Sequence, residues 1–175
     1  MHIHKYLNIK NSTRELSDEV FEDILPILAR ELSTINYIPS HDDEKLKKDW
    51  DNLISRGFGR DTSSSTRTGI MLCEHFFPNF YDIKCKGLSF KNLWKDPKHL
   101  EKILRWNRKS HSTPYLSELK RGVYFCCGLT KSTMFRPHLA KIITTHFEGN
   151  NVLDPCCGWG GRLLGTVAGG KTYTG

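Results

Sequence analysis

The sequence predicts an α/β protein: a mainly helical, basic region over residues 1–120, then over residues 121–175 a strand, a glycine turn, a helix and a second strand. Three observations carry this. Apolar residues recur at three- and four-residue intervals through the front and middle of the chain, the mark of amphipathic helices. The short apolar run Val152-Leu153 leads into the turn DPCCGWGG and the small-residue helix pattern RLLGTVAGG. Lys171 to Thr174, with Tyr173 in an alternating pattern, opens another strand. Strand, turn, helix and strand in that order is the first β-α-β unit of a parallel sheet.

The bulk properties are compatible with that class. With 175 residues and 38% hydrophobic content the chain can bury an ordinary core, in one or two small domains. The formal charge of +7 favours anionic partners such as nucleic acid. Six cysteines occur, and Cys126-Cys127 and Cys156-Cys157 are adjacent pairs rather than the C-x-x-C of a zinc site or redox motif. No metal is expected; reduced, mostly buried thiols and a reducing cytoplasm are. The opening MHIHKYLNIKNS lacks the apolar run of a signal peptide, and no window reaches the length of a membrane span, so no membrane partner is expected.

The helices can be placed in order. SDEVFEDILPILARELSTI has Ser17 as N-cap, acids in its first turn and Val20, Ile24, Ile27, Leu28 and Leu32 at helical spacing, while Pro26 should kink or restart it. DDEKLKKDWDNLISRG puts Leu46, Trp50, Leu53 and Ile54 on one face, with Gly57 as stop. The small polar run DTSSSTRTG at 61–69 reads as a loop.

From Lys84 to Arg121 there are eleven lysines and arginines against three acids, a local excess larger than the charge of the whole chain. Within this stretch DPKHLEKILRWNRK begins a helix at Asp96 and Pro97, with Leu100, Ile103, Leu104 and Trp106 on its apolar side. Lys98, Lys102, Arg105, Arg108 and Lys109 are then expected on the outer face, as a solvated surface or a nucleic-acid interface. Phe90, Trp94, Trp106 and Tyr115 are aromatics able to stack on unpaired bases.

Towards the C-terminus, TMFRPHLAKIITTHFEGN predicts a helix with Pro137 in its first turn, Leu139, Ile142, Ile143 and His146/Phe147 towards a core, and Gly149 at its end. Val152 and Leu153 should form a buried strand. Gly158 and Gly160 allow positive φ and close approach of a ligand to the main chain, and the following helix N-terminus directs free amides at the same space. Asp154 can accept hydrogen bonds from a ligand ammonium or hydroxyl. Arg162 either holds a ligand carboxylate or faces solvent. The spacing is not that of the dinucleotide fingerprint, whose third glycine would fall at Leu163, and no Gly-Lys-Ser/Thr follows this turn at the distance a phosphate loop requires.

VLDPCCGWGG resembles the S-adenosylmethionine-binding motif of amino-group DNA methyltransferases, usually D-P-F-x-G-x-G, and TKSTMFRPHLAKII is similar to the helix just upstream of it in phage and bacterial adenine methyltransferases. The resemblance covers about the last third of the chain. It implies a Rossmann-like methyltransferase sheet, S-adenosylmethionine as cofactor, and methyl transfer to an exocyclic base amine, adenine N6 before cytosine N4. Asp154, Pro155, Cys156, Gly158 and Gly160 match the cofactor turn, Cys156 standing where the family commonly has phenylalanine. Thr133, Phe135 and Arg136 match the start of the upstream helix. DNA is the implied partner and RNA the alternative, because some RNA guanine-N2 methyltransferases have a similar D-P-C-C-G turn. The family's catalytic tetrapeptide is absent, STPY at 112–115 being the nearest string, and so is its ribose-binding acid after the second strand. The catalytic residues are therefore unknown, and the chain is expected to be the inactive front of such an enzyme; the other readings are a non-catalytic DNA-binding accessory or decoy and a fragment without independent function.

Overall fold

The computed structural model describes residues 3–7, 16–38, 40–57, 66–130 and 132–175. They form a mixed α/β, mostly helical structure with two small sheets. The contacts group the chain into two compact units that interleave in sequence, Met1–Tyr37 with Tyr81–Lys131 and Ile38–Phe80 with Ser132–Gly175, rather than dividing it once near residue 120. The reason is that residues 38–80 carry helices that pack against the C-terminal helices.

The first unit contains α1 (Ile3–Tyr6) and α2 (Asp18–Thr34), then a hairpin of β1 (Lys84–Cys85) and β2 (Leu88–Ser89), and α5 (Phe90–Lys95), α6 (Pro97–Lys109) and α7 (Leu116–Cys126). Serine and aspartate set the helix starts, as their short acceptors dictate. Ser17 accepts from the Val20 amide, Ser89 from Asn92 and Asp96 from Lys98. The hairpin turns through Lys86 and Gly87, both at positive φ, the geometry that matches strand twist in a two-residue loop.

α2 buries Phe21, Leu25, Leu28, Ala29 and Leu32. This face is rotated by about one residue from the expected one, leaving Val20 and Ile27 exposed. Pro26 lies inside a helix that neither stops nor restarts, on its solvent side. α6 buries Leu100, Ile103 and Leu104 as expected, and α7 packs closely on it through Gly122, where a Cβ would sit 2.7 Å from Ile103 Cγ2.

The second unit contains α3 (Asp43–Ser55), α4 (Ile70–Phe76), α8 (Pro137–His146), β3 (Asn151–Leu153), α9 (Gly161–Ala168) and β4 (Thr172–Thr174). Asp42 caps α3, which buries Leu46, Asp49 and Leu53 while Ile54 stays exposed. Residues 61–65 of the expected polar loop lie outside the described residues; Thr66 to Gly69 lead into α4, with the Gly69 amide donating to Asp49 Oδ1 at 2.9 Å. Lys141 of α8 donates through Nζ to the carbonyls of Leu53, Ile54 and Arg56, closing the C-terminal end of α3.

β3 and β4 pair in parallel, Val152 opposite Tyr173, with α9 between them in sequence. α8 and α9 meet through small residues: a Cβ on Gly161 would lie 1.8 Å from the Phe135 carbonyl oxygen, and one on Gly165 2.2 Å from that of Pro137. This close approach explains why α8 buries Pro137, His138 and Ala140 instead of the larger Ile143 and Phe147, which are exposed. The strand expected to be buried is not: Val152 is half-buried and Leu153 is 76% exposed. The thiols also depart from expectation, since of the six free cysteines Cys73 is buried while Cys156 and Cys157 are exposed. Among the described residues no helix is long and apolar enough to cross a membrane.

Candidate functional site

The turn after β3 is built by its glycines and closed by charge. Gly158 and Gly160 both take left-handed φ, +60° and +73°. Their surroundings differ. A Cβ on Gly158 would meet nothing closer than Arg162 Nη2 at 3.6 Å, whereas one on Gly160 would strike the Phe77 ring at 2.6 Å. A Cβ at Gly158 would make only ordinary contacts, whereas Gly160 is closed by packing against Phe77. Gly160 caps α9 without a side chain, so no side-chain oxygen occupies the helix N-terminus.

Asp154 is buried at the end of β3 with its carboxylate engaged on several sides. Oδ1 accepts from the Cys156 amide at 3.0 Å, and Oδ2 accepts from Arg162 Nε at 2.5 Å and from the Tyr173 hydroxyl at 2.7 Å. Arg162 also donates to the Cys156 carbonyl and lies 5.3 Å over the Phe135 ring. The Arg162 guanidinium, with Tyr173 second, holds the Asp154 carboxyl down at about 2. Tyr173 is pushed upward by burial and by the adjacent carboxylate. Arg162 thus does neither of the two things the sequence suggested: it turns back and ties the strand end to the turn.

Beside this turn lies a cavity of about 190 Å³. Phe135, Val152, Leu153, Asp154, Arg162 and Thr166 are among its lining residues. Thr166 is fully buried and its hydroxyl has no hydrogen-bond partner among the described residues. Of the residues assigned to the cofactor by resemblance, Phe135 and Asp154 line this cavity together, and Cys156, Gly158 and Gly160 form the turn next to Asp154. Pro155 and Thr133 are exposed and outside the cavity lining. Arg136 precedes α8, with its Nη1 buried and without a hydrogen-bond partner among the described residues. Tyr173 and Thr166 were not anticipated as site residues. The register of a parallel pair, which carries Tyr173 opposite Val152, is the signal that would have pointed to the first.

A second string invites a phosphate-loop reading: Gly165 to Thr172 spells GTVAGGKT, which fits G-x-x-x-x-G-K-[ST]. The structure overturns it. That motif needs its loop between a strand and a following helix, but Gly165 to Ala168 are already helical and the loop leads into β4. Lys171 Nζ is spent on the carbonyls of Phe147 and Gly149.

The basic face of α6 is smaller than the sequence implied. Lys98, Lys102 and Lys109 are exposed. Arg108 is buried: it donates to Asp18 Oδ1 at 2.7 Å and the Leu16 carbonyl at 2.7 Å, with its guanidinium 4.6 Å over Phe21. Arg105 makes a forked pair with Glu22, the closest contact being 2.8 Å. Both arginines fasten α6 to α2, because the acids of the first turns of α2 face them. Phe90 and Trp94 are core residues, the Trp94 indole donating to the Ile35 carbonyl. STPY leads into α7, with Pro114 buried. The chain matches no protein-family model, no curated protein and no solved structure.

Proposed function

We propose that this protein serves methyl transfer from S-adenosylmethionine to an exocyclic amine of a nucleic-acid base, adenine N6 first. The observation that carries this reading is the left-handed glycine turn between a parallel strand and a helix, with an ionised aspartate at the strand end and a cavity beside it. The cofactor would bring an electrophilic methyl group on a sulfonium. The residues present fit part of such a ligand. An ionised carboxylate offers about four acceptor positions, and three hydrogen bonds to Asp154 leave capacity for an ammonium. Thr166, whose hydroxyl is buried without a partner among the described residues, also lines the cavity, and Phe135 supplies an apolar wall. At about 190 Å³ the cavity is below the ~300 Å³ at which small-molecule sites usually begin, so it suits one end of the ligand rather than the whole. The Rossmann-like sheet and the cytoplasmic location belong to the same proposal.

A second reading, a nucleic-acid-binding module without transfer, is favoured by the exposed Lys98, Lys102 and Lys109. Radiolabelled methyl transfer to unmethylated DNA and to RNA separates the readings. Incorporation that is lost in Asp154→Ala supports transfer and names the polymer. Salt-sensitive nucleic-acid binding with neither incorporation nor binding of S-adenosylmethionine supports the module.

A further inference from the structure

The aromatic residues left at the surface of the first unit form an arrangement the sequence does not reveal. Trp106 of α6 and Phe125 of α7 stack with their rings 5.8 Å apart and 11° from parallel. Trp106 is half-buried and seated against Gly122, where a Cβ would come within 3.2 Å of its ring. Phe125 is 64% exposed. Arg121 lies 5.2 Å over the Phe125 ring. One member of the stack is fixed by packing and the other is presented to solvent. An exposed aromatic ring of this size has an unfavourable contact with water, which an adjoining flat π-surface relieves.

The charges around the stack are of one sign where they are free to act. Lys98, Lys102 and Lys109 of α6 and Arg121 of α7 are exposed. Lys102 is near enough to Cys127, at the end of α7, for its charge to act on that thiol. The acids on these two helices are engaged: Glu101 with Arg105 at 3.6 Å and Glu118 with Arg121 at 3.4 Å. The Glu118 pair is exposed and correspondingly weak, so Arg121 can exchange it for a phosphate.

We infer that the Trp106–Phe125 stack is a platform for an unpaired base of a single-stranded nucleic acid, with Lys102, Lys109 and Arg121 on its phosphates. Stacked, paired bases inside a duplex cannot reach such a ring, whereas every unpaired base has a free π-face. The inference rests on the nucleic-acid half of the proposed function and is independent of its cofactor half.

The test is fluorescence anisotropy of the full chain with labelled oligothymidylate and oligouridylate of about 15 nucleotides and a duplex of equal length. Phe125→Ala is expected to weaken single-strand binding about tenfold, and Phe125→Leu, which keeps apolar area but loses the ring, to behave alike. Lys102→Gln should reduce the salt slope by about 0.7, while Lys47→Gln on α3 leaves it unchanged. Because Phe125 is exposed, circular dichroism should show wild-type folding for its variants. Equal binding of duplex and single strand, or wild-type affinity in Phe125→Ala, overturns the platform. If Lys102→Gln still weakens duplex binding in that case, the basic face survives without it. Absence of any binding at low salt overturns both. The two oligonucleotides decide between DNA and RNA.

Discussion

Arg162 competes for the carboxylate on which the proposed cofactor contact depends. Its guanidinium keeps Asp154 ionised, but it also occupies Oδ2. Replacing it by glutamine, Arg162→Gln, should therefore raise the Asp154 carboxyl from about 2 towards its ordinary 3.8, read by NMR titration of the side-chain carbon. Because the folded value lies below the unfolded one, this group stabilises the native state above pH 3.8, and that contribution is lost as pH falls towards about 2. In Arg162→Gln the acid-induced loss of structure in the second unit should shift to higher pH. His138 gives the opposite end of the same logic. Burial, reinforced by Arg56 and Lys141, lowers its pKa from 6.5, so the folded state holds it neutral. Stability from this source is complete above pH 6.5 and falls as pH drops below that value, since the unfolded chain takes up the proton first. The urea midpoint of the wild type should fall over that range, and His138→Gln should flatten the dependence.

Between α8 and α9 the determinant is main-chain proximity. Gly161→Ala would drive a Cβ into the Phe135 carbonyl, a group that cannot swing aside as a side chain end can. The expected cost is about 3 kcal/mol by urea unfolding. Gly149→Ala, where nothing lies within 4 Å, should be nearly neutral. Between α2 and α6, Arg108→Leu loses a cation–π contact with Phe21 and the bonds to Leu16 and Asp18, and should lower stability by about 2 kcal/mol. Such contacts also explain what could be read in advance. Ser17, Asp96 and Pro97 mark helix starts through local geometry, and the β3-turn-α9-β4 order follows from glycine and apolar spacing, so these were legible. The buried face of α2 was not, because Val20 and Ile27 are apolar yet outward, and only the partner helix decides the rotation. Arg105 and Arg108 read as outer charges because nothing local announces that Glu22 and Asp18, more than eighty residues earlier, would meet them.

Across the molecule, both units draw on segments distant in sequence, so each is closed by contacts that span a long loop. In the second unit the C-terminal segment alone brings Phe135, Asp154 and Thr166 around one cavity beside the left-handed turn at Gly158, the arrangement on which the proposed function stands. Nuclear magnetic resonance of the amide groups during titration with S-adenosylmethionine tests it most directly. Saturable shifts centred on Phe135, Asp154, Gly158 and Gly161 are expected, and their loss in Asp154→Ala. Unmoved amides at millimolar ligand, or shifts confined to other parts of the chain, would contradict it.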